Sequence, residues 1–533
     1  MAKVSISAVD QYGVIQDIPG HKAPPEGWTY ALNMRFTDGR AVRMQGEQTV
    51  MDPPSVAPAF VMNVEDTAGV FWLYASAVGA GSKIYGFNSG SHADLSQAGD
   101  YTVSNPRDIN GVVFQGTPII NNGTDDPQYW ASLSLATDFA DLSNWPASTT
   151  CKVISMFKNF LVALNTVESS TAHGHRVRWS SPAAPGSLPA TWDDTDATND
   201  AGLYELSDVN SGTIQWGLPF RDMFAIYKNE STWLMRFVGG QAIMDFASVL
   251  NASGVLCPRA ACALTLPQQK VQVHFVQNGI DLGVFDGQSF ESVIDGRNRK
   301  FLVGDIDTNS YNNSFVFDNA NEYEGWFCYP SSGNTQPDTA CIWNYRDNTI
   351  TFRDFNGVHA ARGAVELAGA DTWATVSGAW ASATASKWQE GARRKLVVPD
   401  RANTQLLQLD TGEDFAGTSY SSSLEKKEIA LIGQDRSGNP IADYTRKKLV
   451  TRLWVKITGG RVRVTLGSSD QVGEDPDYTG DGSNTDIFDP SEGYQTVDIT
   501  HEGRLIAVKF EGIDGDHWEI EGFDMELEVL GGF

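Results

Sequence analysis

His173-Gly-His175 sets two imidazoles one residue apart, a spacing that could offer two nitrogens to a metal. No third ligand stands at a useful spacing and no HExxH motif occurs, so the pair reads as a turn presenting two solvated histidines. The acidic stretch Asp475-Pro-Asp477-Tyr-Thr479-Gly480-Asp481-Gly-Ser483-Asn-Thr-Asp486 is the better metal candidate. Its oxygen side chains fall at positions 1, 3, 5, 9 and 12 with Gly at 6, as in a calcium loop. Position 12 is Asp rather than the longer bidentate Glu, and no helices flank the loop, so the sequence leaves calcium open beside a plain acidic loop. Asp193-Asp-Thr-Asp196 reads as a solvated loop. Paired carboxylates could hydrolyse a glycosidic bond, but with 66 acidic residues any pair picked from sequence is arbitrary. No G-x-S-x-G elbow, phosphate-binding Walker loop, dinucleotide fingerprint or Asp-box turn is found. No catalytic, cofactor-binding or metal-binding residue is assigned.

The five cysteines (Cys151, Cys257, Cys262, Cys328 and Cys341) show no CxxC or Cys/His spacing, and read as buried free thiols. The chain carries 66 acidic against 39 basic residues, a formal net charge of −27. A protein that grips nucleic acid neutralises phosphates with Lys and Arg. This chain would repel DNA over most of its surface, which argues against a clamp and leaves open a conduit through which DNA slides. The opening MAKVSISAVDQYG has no apolar core of a secretory signal, and no run approaches the roughly 18 apolar residues of a membrane span. The four N-x-S/T sites at Asn122, Asn229, Asn251 and Asn312 therefore carry little weight.

The elements that would position any site repeat. A short β-rich run, a polar turn and a second β-rich run ending in aromatics recur as GVFWLYASAVGAGSKIYGF near Gly69, GVVFQGTPIINNG near Gly111 and CKVISMFKNFLVALN near Cys151. They return near Gly212, Lys270 and Ala340. Starts about 40 to 60 residues apart point to a propeller or array. The 533 residues exceed one compact core, and 15 Trp, 16 Tyr and 26 Phe suit pleated faces. The expected fold is all-β: a β-propeller with an attached β-rich platform, sandwich- or barrel-like, formed mainly by the C-terminal region.

Residues 1–50 read as an extended segment packing on the β domains, with Pro24 and Pro25 discouraging helix. Within it, Trp28 to Gly39 reads as a strand running into an Asp-Gly turn with another strand to follow. Residues 51–425 form the propeller, with long loop insertions at about 168–210 and 366–395. Residues 426–533 form an antiparallel platform, because LVTRLWVKI, GRVRVTL, RLIAVKF and HWEIEGFDMELEV alternate apolar with polar residues. An acidic, Gly-rich loop is expected at 474–493. Only 374–389 could hold a short helix.

Several phrases resemble a known family. PPEGWTYALNMRFTDGRAVRMQGEQTV resembles the start of podovirus tail nozzle proteins, tail tubular protein B-like or packaged-DNA-stabilisation-like, through Pro25, Trp28, Asn33, Arg35, Phe36, Asp38, Gly39, Arg43 and Gly46. NNGTDDPQYW (121–130) is similar to the family's blade turn, and RVRWSSPAAPGSLPATW (176–192) to its R-x-x-W/F-S segment. Residues 201–237 look like its L-x-D…I-Y-K-x-x-S-x-W element. Residues 337–355 resemble its N-Y-x-x-N-T-W run, with Ile350 where Trp is usual, and 503–531 resemble its ending. The resemblance implies a structural virion protein of the phage tail, made in the host bacterial cytoplasm. It implies a ring of identical copies, hexameric in such tails, below portal and adaptor proteins. It further implies attachment of fibres or spikes, passage of DNA on ejection with only transient contact, and no enzymatic residues or cofactors. The competing expectation is a glycan-binding, lectin-like or hydrolytic propeller acting at the host surface.

Overall fold

The computed structural model describes residues 2–531 apart from 52–53, 67–68, 209–211, 241, 366–393, 435–439, 481 and 494. The helix anticipated over 374–389, and nearly all of the loop anticipated over 366–395, lie outside the described residues. The described chain is β throughout, with a single short α-helix among the described residues, Arg299–Asp305.

Six free-standing four-stranded antiparallel sheets follow one another around a ring, and a seventh meander of the same order is fused to a further sheet. In chain order the blades cover 60–94, 110–141, 149–205, 214–250, 261–292, 315–354 and 361–409. Blade 3 shows why these sequences fold so. Thr149–Phe157 and Phe160–Glu168 are apolar on nearly every inward position, and Lys158 turns the chain between them at φ 54°. Inner strands of neighbouring blades are laced by side chains. Asn110 Nδ2 donates to Lys152 O at 2.9 Å, and Asn110 Oδ1 accepts from Ile154 N at 2.9 Å. Blade 7 takes its outermost strand, Glu47–Thr49, from the start of the chain. Its innermost strand, Ala361–Gly363, packs on blade 1, where Gly363 lies against the Asn63 side chain too closely for any Cβ. Both ends of the propeller sequence therefore close the ring.

Apart from two separate two-stranded ribbons, Gly79–Ser82 with Tyr101–Val103 and Leu431–Gln434 with Pro440–Ala442, the remaining strands form a two-sheet sandwich. One sheet is built on Trp518–Val529 and Lys448–Gly459, and adds Ala2–Ser7, Met34–Thr37 and Arg40–Arg43 from the N-terminus. The other runs from Tyr30–Leu32 through Ser423–Ile429, Leu505–Gly512 and Val462–Ser469 to Thr485–Phe488. Trp28, Phe36, Val464, Phe510, Trp518 and Phe523 fill the space between them. Trp518–Val529 alternates buried and exposed positions almost throughout, as a sheet with one core face must.

Three local expectations change. Residues 168–210 are not one loop: they hold the two outer strands of blade 3, Thr171–Trp179 and Gly202–Glu205, with the loop confined between them. The polar character of these strands, on the outer edge of a blade, hid them. Residues 474–493 contain the edge strand Thr485–Phe488 and a 3-10 turn at Pro490–Glu492. The N-terminal segment is woven into both sandwich sheets and blade 7. Asp38-Gly39, with φ 52° and 84°, closes a hairpin in which Thr37 faces Arg40.

Candidate functional site at the joint between ring and sandwich

A dense cluster of charged side chains lies where blades 6 and 7 meet the sandwich, and the N-terminal segment helps build it. Tyr30–Leu32 belongs to one sandwich sheet and Met34–Thr37 to the other, so the chain must turn at the residue between. That residue is Asn33, fully buried with φ 57°, a left-handed conformation that Asn tolerates better than most residues. Its Nδ2 donates to Asp354 Oδ2 at 2.8 Å and to Ser421 O at 2.7 Å, while its Oδ1 accepts from Asp354 N at 3.0 Å. One side chain thus ties the end of blade 6 to the start of the sandwich. Leu32 pairs in parallel with Phe352, making blade 6 and a sandwich sheet one continuous nine-stranded surface.

Two residues beyond Asn33, the Arg35 guanidinium is buried. Nε donates to Glu324 Oε1 at 2.6 Å and Nη2 to Glu324 Oε2 at 3.0 Å, the two-pronged geometry that suits a planar fork. Nη2 also reaches Asp410 Oδ1 at 3.1 Å. A second buried guanidinium, Arg353, donates to Glu47 Oε1 at 3.1 Å and lies 3.5 Å from Asp410 Oδ1. It sits 5.2 Å from the ring centres of both Trp326 and Phe415. Asn319 Nδ2 donates to Asp410 Oδ2 at 2.8 Å, and Trp326 Nε1 to Glu324 Oε2 at 3.0 Å. Three carboxyls therefore face two guanidiniums closely, and a fourth, Glu322, stands 3.9 Å from Arg35. Burial pushes the Glu47 carboxyl up to about 7, against the pull of Arg353. Burial acts the same way on Asp410, but Arg35 and Arg353 outweigh it and hold that carboxyl below its usual range. Burial likewise raises the Glu324 carboxyl, against the pull of Arg35.

The other residues singled out in the sequence are also spent on structure. Asn122 Oδ1 accepts from Thr124 N and Asp125 N at 3.0 and 2.8 Å, shaping the blade 2 turn, and Trp130 Nε1 donates to Thr137 O at 2.7 Å. Arg178 spans Glu168 and Asp194 and donates to Trp192 O, fastening the loop after Trp179 onto blade 3. Asp208 accepts from buried Lys228 at 2.7 Å, Ser231 at 2.7 Å and Trp233 Nε1 at 3.1 Å. Ile350 is fully buried, and its carbonyl accepts from Val14 N at 2.9 Å. Trp518 Nε1 donates to Ser422 Oγ at 2.8 Å.

His173 and His175 stand in the strand Thr171–Trp179 rather than in a turn, and both are half-buried. His173 Nδ1 lies 3.6 Å from Glu205 Oε1. In the calcium-like stretch, Asp475 bonds Lys427 Nζ at 3.0 Å, Asp477 Oδ1 accepts from Thr479 N and Oγ1, and Asp486 lies in the edge strand. Asp481 lies outside the described residues. Among the described residues, no three His, Cys, Asp or Glu side chains are grouped to hold a metal ion. Asp193 and Asp196 accept from Thr195 and Thr198 in successive exposed turns. Four of the five thiols are buried and Cys262 is half-buried.

Two voids accompany this frame. A cleft of about 860 Å³ opens beside blades 4, 5 and 6, lined by Arg221, Gln288, Glu291, Arg297 and Trp343 among others. A second void, of about 370 Å³, lies on the ring axis against the inner strands. No helix among the described residues is long and apolar enough to cross a membrane.

No protein-family model and no curated protein matches the chain. Among solved structures it is similar to the extracellular domain assigned to the hybrid two component system BT4673 from B. thetaiotaomicron, at 9% identity and TM-score 0.38. That alignment covers 74% of this chain and 44% of the other, so the chain spans less than half the length of that structure. It is also similar to BBS1N in complex with ARL6DN, at 10% identity and TM-score 0.30, covering 64% of this chain and 95% of the other. Likenesses this distant carry no argument about function.

Proposed function

We propose that this β-propeller protein is a structural component of a short-tailed phage virion, a ring-forming nozzle subunit through which DNA passes on ejection and to which fibres or spikes attach. One observation supports this reading above others. The phrases that resemble the tail nozzle family run in order along almost the whole chain, and their key side chains are consumed in holding blades and sandwich together. Asn33, Arg35, Arg178, Asp208 and Trp518 all make structural hydrogen bonds. A scaffold spends its recognisable residues in this way; an enzyme would keep some of them for an open reaction centre. The formal charge of −27 suits a conduit that DNA must leave without sticking. A closed ring follows when one face of each copy docks on a different face of the next. By resemblance the ring is a hexamer with portal and adaptor proteins above it, and the chain has no catalytic role.

The test is to raise antibodies to the purified chain, label intact particles with them, and image by negative stain, with light scattering of the free protein alongside. Labelling at the tail tip and a ring or ring-competent monomer are expected. Particles without label would sink the proposal. So would saturable binding or turnover of a polysaccharide by a protein that stays monomeric at every concentration, which would favour the host-surface glycan reading.

A further inference from the structure

The outermost strand of a propeller blade has one side with no neighbouring strand, and the blades of this ring close that side in different ways. Blade 6 runs on from Thr349–Asp354 into the sandwich through the parallel pair of Phe352 and Leu32. On blade 7, Glu47–Thr49 is bridged by the backbone around Phe415: Glu47 N donates to Asp414 O at 2.8 Å and Ala416 N to Glu47 O at 2.7 Å. Blades 1, 2, 3 and 5 end in strands of two to four residues, Ser91–Asp94, Ala140–Asp141, Gly202–Glu205 and Phe290–Ser292, each including an acid. Short, charged edges resist pairing with another chain. Blade 4 is the exception. Its outermost strand, Met244–Leu250, has seven residues. The one acid in it, Asp245, accepts from Arg236 Nε at 2.7 Å. Among the described residues this strand pairs only with Thr232–Phe237, in a regular ladder from Met244 to Ser248 and then past a skipped Val249. Its other side has no strand beside it.

The surroundings of this edge suit a bound strand. Ala247 and Ser248 are exposed and Phe246 is half-buried. Tyr204, on the outermost strand of blade 3, stacks on Phe246 with ring centres 4.5 Å apart and planes 5° from parallel, yet stays 44% exposed. Phe237 stands across the ladder from Met244, and it and Val238 are 41% and 49% exposed. Apolar side chains thus flank main chain that has no strand partner. The charge nearby is acidic. Phe246 lies 5.9 Å from the Trp179 ring, whose Nε1 donates to Asp200 O at 2.9 Å. Asn199 Nδ2 donates to Asp193 O at 3.1 Å, which folds the acidic loop back on itself. Asp194 is paired with Arg178, but Asp193, Asp196 and Asp200 have no cation within ion-pair distance among the described residues. A second copy offering the same edge would bring the same acids, in a chain of net charge −27. A basic segment of a different protein meets no such repulsion.

We propose that the outer edge of blade 4 binds a partner protein by strand addition: an extended segment, apolar at alternate positions and basic at one end, pairs its main chain with Met244–Ser248. Its apolar side chains lie against Tyr204, Phe237 and Phe246, and its basic end lies toward Asp193, Asp196 and Asp200. Main-chain hydrogen bonds supply the affinity, the rings select apolar residues, and the acids fix which end of the segment lies where. A blade edge takes a strand in a lone subunit as readily as in a ring, so failure at this edge leaves the ring reading untouched.

The full chain is titrated by fluorescence anisotropy with a labelled synthetic peptide, a run of lysines followed by a Thr-Val repeat, and amide hydrogen exchange is followed across blade 4. One saturable site per chain is expected, with slowed exchange within Met244–Leu250. The same peptide methylated on every backbone nitrogen of the repeat, or carrying glutamates in place of lysines, is expected to bind about tenfold more weakly or worse. Asp193→Asn, Asp196→Asn and Asp200→Asn combined are expected to weaken the lysine peptide roughly tenfold. Should that variant fail to fold, Tyr204→Ser trims an exposed ring and is expected to weaken it roughly fivefold. No saturable binding overturns the proposal, as does equal binding of the methylated peptide, unchanged binding in a folded variant, or protection confined to other blades. Self-association of the free chain that protects 244–250 also overturns it, because the occupant is then a second copy.

Discussion

Glu47→Gln is the substitution that isolates the electrostatics of the joint. Glu47 is buried on the outermost strand of blade 7 and bonds the Arg353 guanidinium. Folding raises its carboxyl from 4.5 to about 7, with burial as the main cause. Below pH 4.5 both folded and unfolded chains hold the proton and the group has no effect on stability. Between 4.5 and 7 the unfolded chain releases the proton while the folded chain keeps it, so stability falls with rising pH, and above 7 the loss is complete. A rise from 4.5 to about 7 corresponds to a loss of about 3 kcal/mol. Gln has nearly the same shape, carries no charge and still offers Oε1 to Arg353. The wild type is therefore expected to lose about 3 kcal/mol relative to Glu47→Gln between pH 4.5 and 7.5. The assay is urea unfolding followed by tryptophan fluorescence at half-unit pH steps, read as the global unfolding transition. Titrating groups away from the cluster, among them Asp318 with its carboxyl raised to about 6, are common to both proteins and cancel in the difference. Parallel curves for the two proteins would refute the reasoning, because the folded site would then hold Glu47 as an ordinary ionised carboxylate.

The remaining predictions concern neighbouring parts. Arg353→Met should destabilise by about 3 kcal/mol above pH 7, because it leaves the ionised Glu47 without Arg353 while Asp410 keeps Arg35; denaturant midpoints and soluble yield check this. Asn33→Ala removes three hydrogen bonds and leaves a Cβ residue at φ 57°, for a loss of about 3 kcal/mol in the same assay. Asp17 carboxylate oxygens accept from Lys300 N and Phe301 N at 2.8 and 3.1 Å, capping the short helix from a distant segment. Asp17→Ala should weaken that helix by about 1 kcal/mol, seen as faster amide exchange at Lys300 and Phe301. Calcium at millimolar levels should leave the melting temperature unchanged, since Asp475 is held by Lys427 and Asp477 by Thr479; a rise with calcium, reversed by chelation, would count against this.

The repeated strand pairs and the C-terminal alternation were legible because both are local: period-two patterning says which face of a strand is buried, and Asp38-Gly39 announces its own turn. The joint was not legible, although Asn33 and Arg35 were noticed. Arg35 lies 289 residues from Glu324 and 375 from Asp410, and no local pattern encodes a pairing across that distance. One signal was available. Glu324 heads a strand, Glu324–Tyr329, whose other residues are all uncharged and which is buried at every position. A lone acid opening such a run needs a cation brought from elsewhere. The outer strands of blade 3 were missed for the opposite reason. Thr171–Trp179 begins with exposed Thr171 and Ala172 and half-buried polar residues, because the outer edge of a blade faces water and lacks a second core face.

A purely apolar joint of the same area would be at least as stable, since desolvating three carboxyls and two guanidiniums offsets much of their attraction. What the ion cluster adds is register. Apolar faces slide at little cost, whereas Arg35 satisfies Glu324 and Asp410 together in one arrangement only, and Asn33 meets Asp354 and Ser421 in that same arrangement. The backbone makes the same demand, because the parallel pair at Leu32 and Phe352 carries a sandwich sheet directly into blade 6. Tilting the sandwich against the ring would have to break this pairing and expose unpaired buried charges at once. The ring and the sandwich therefore behave as one body, and the N-terminal fifty residues, which supply the outermost strand of blade 7, strands to both sandwich sheets and Arg35, are what makes them one.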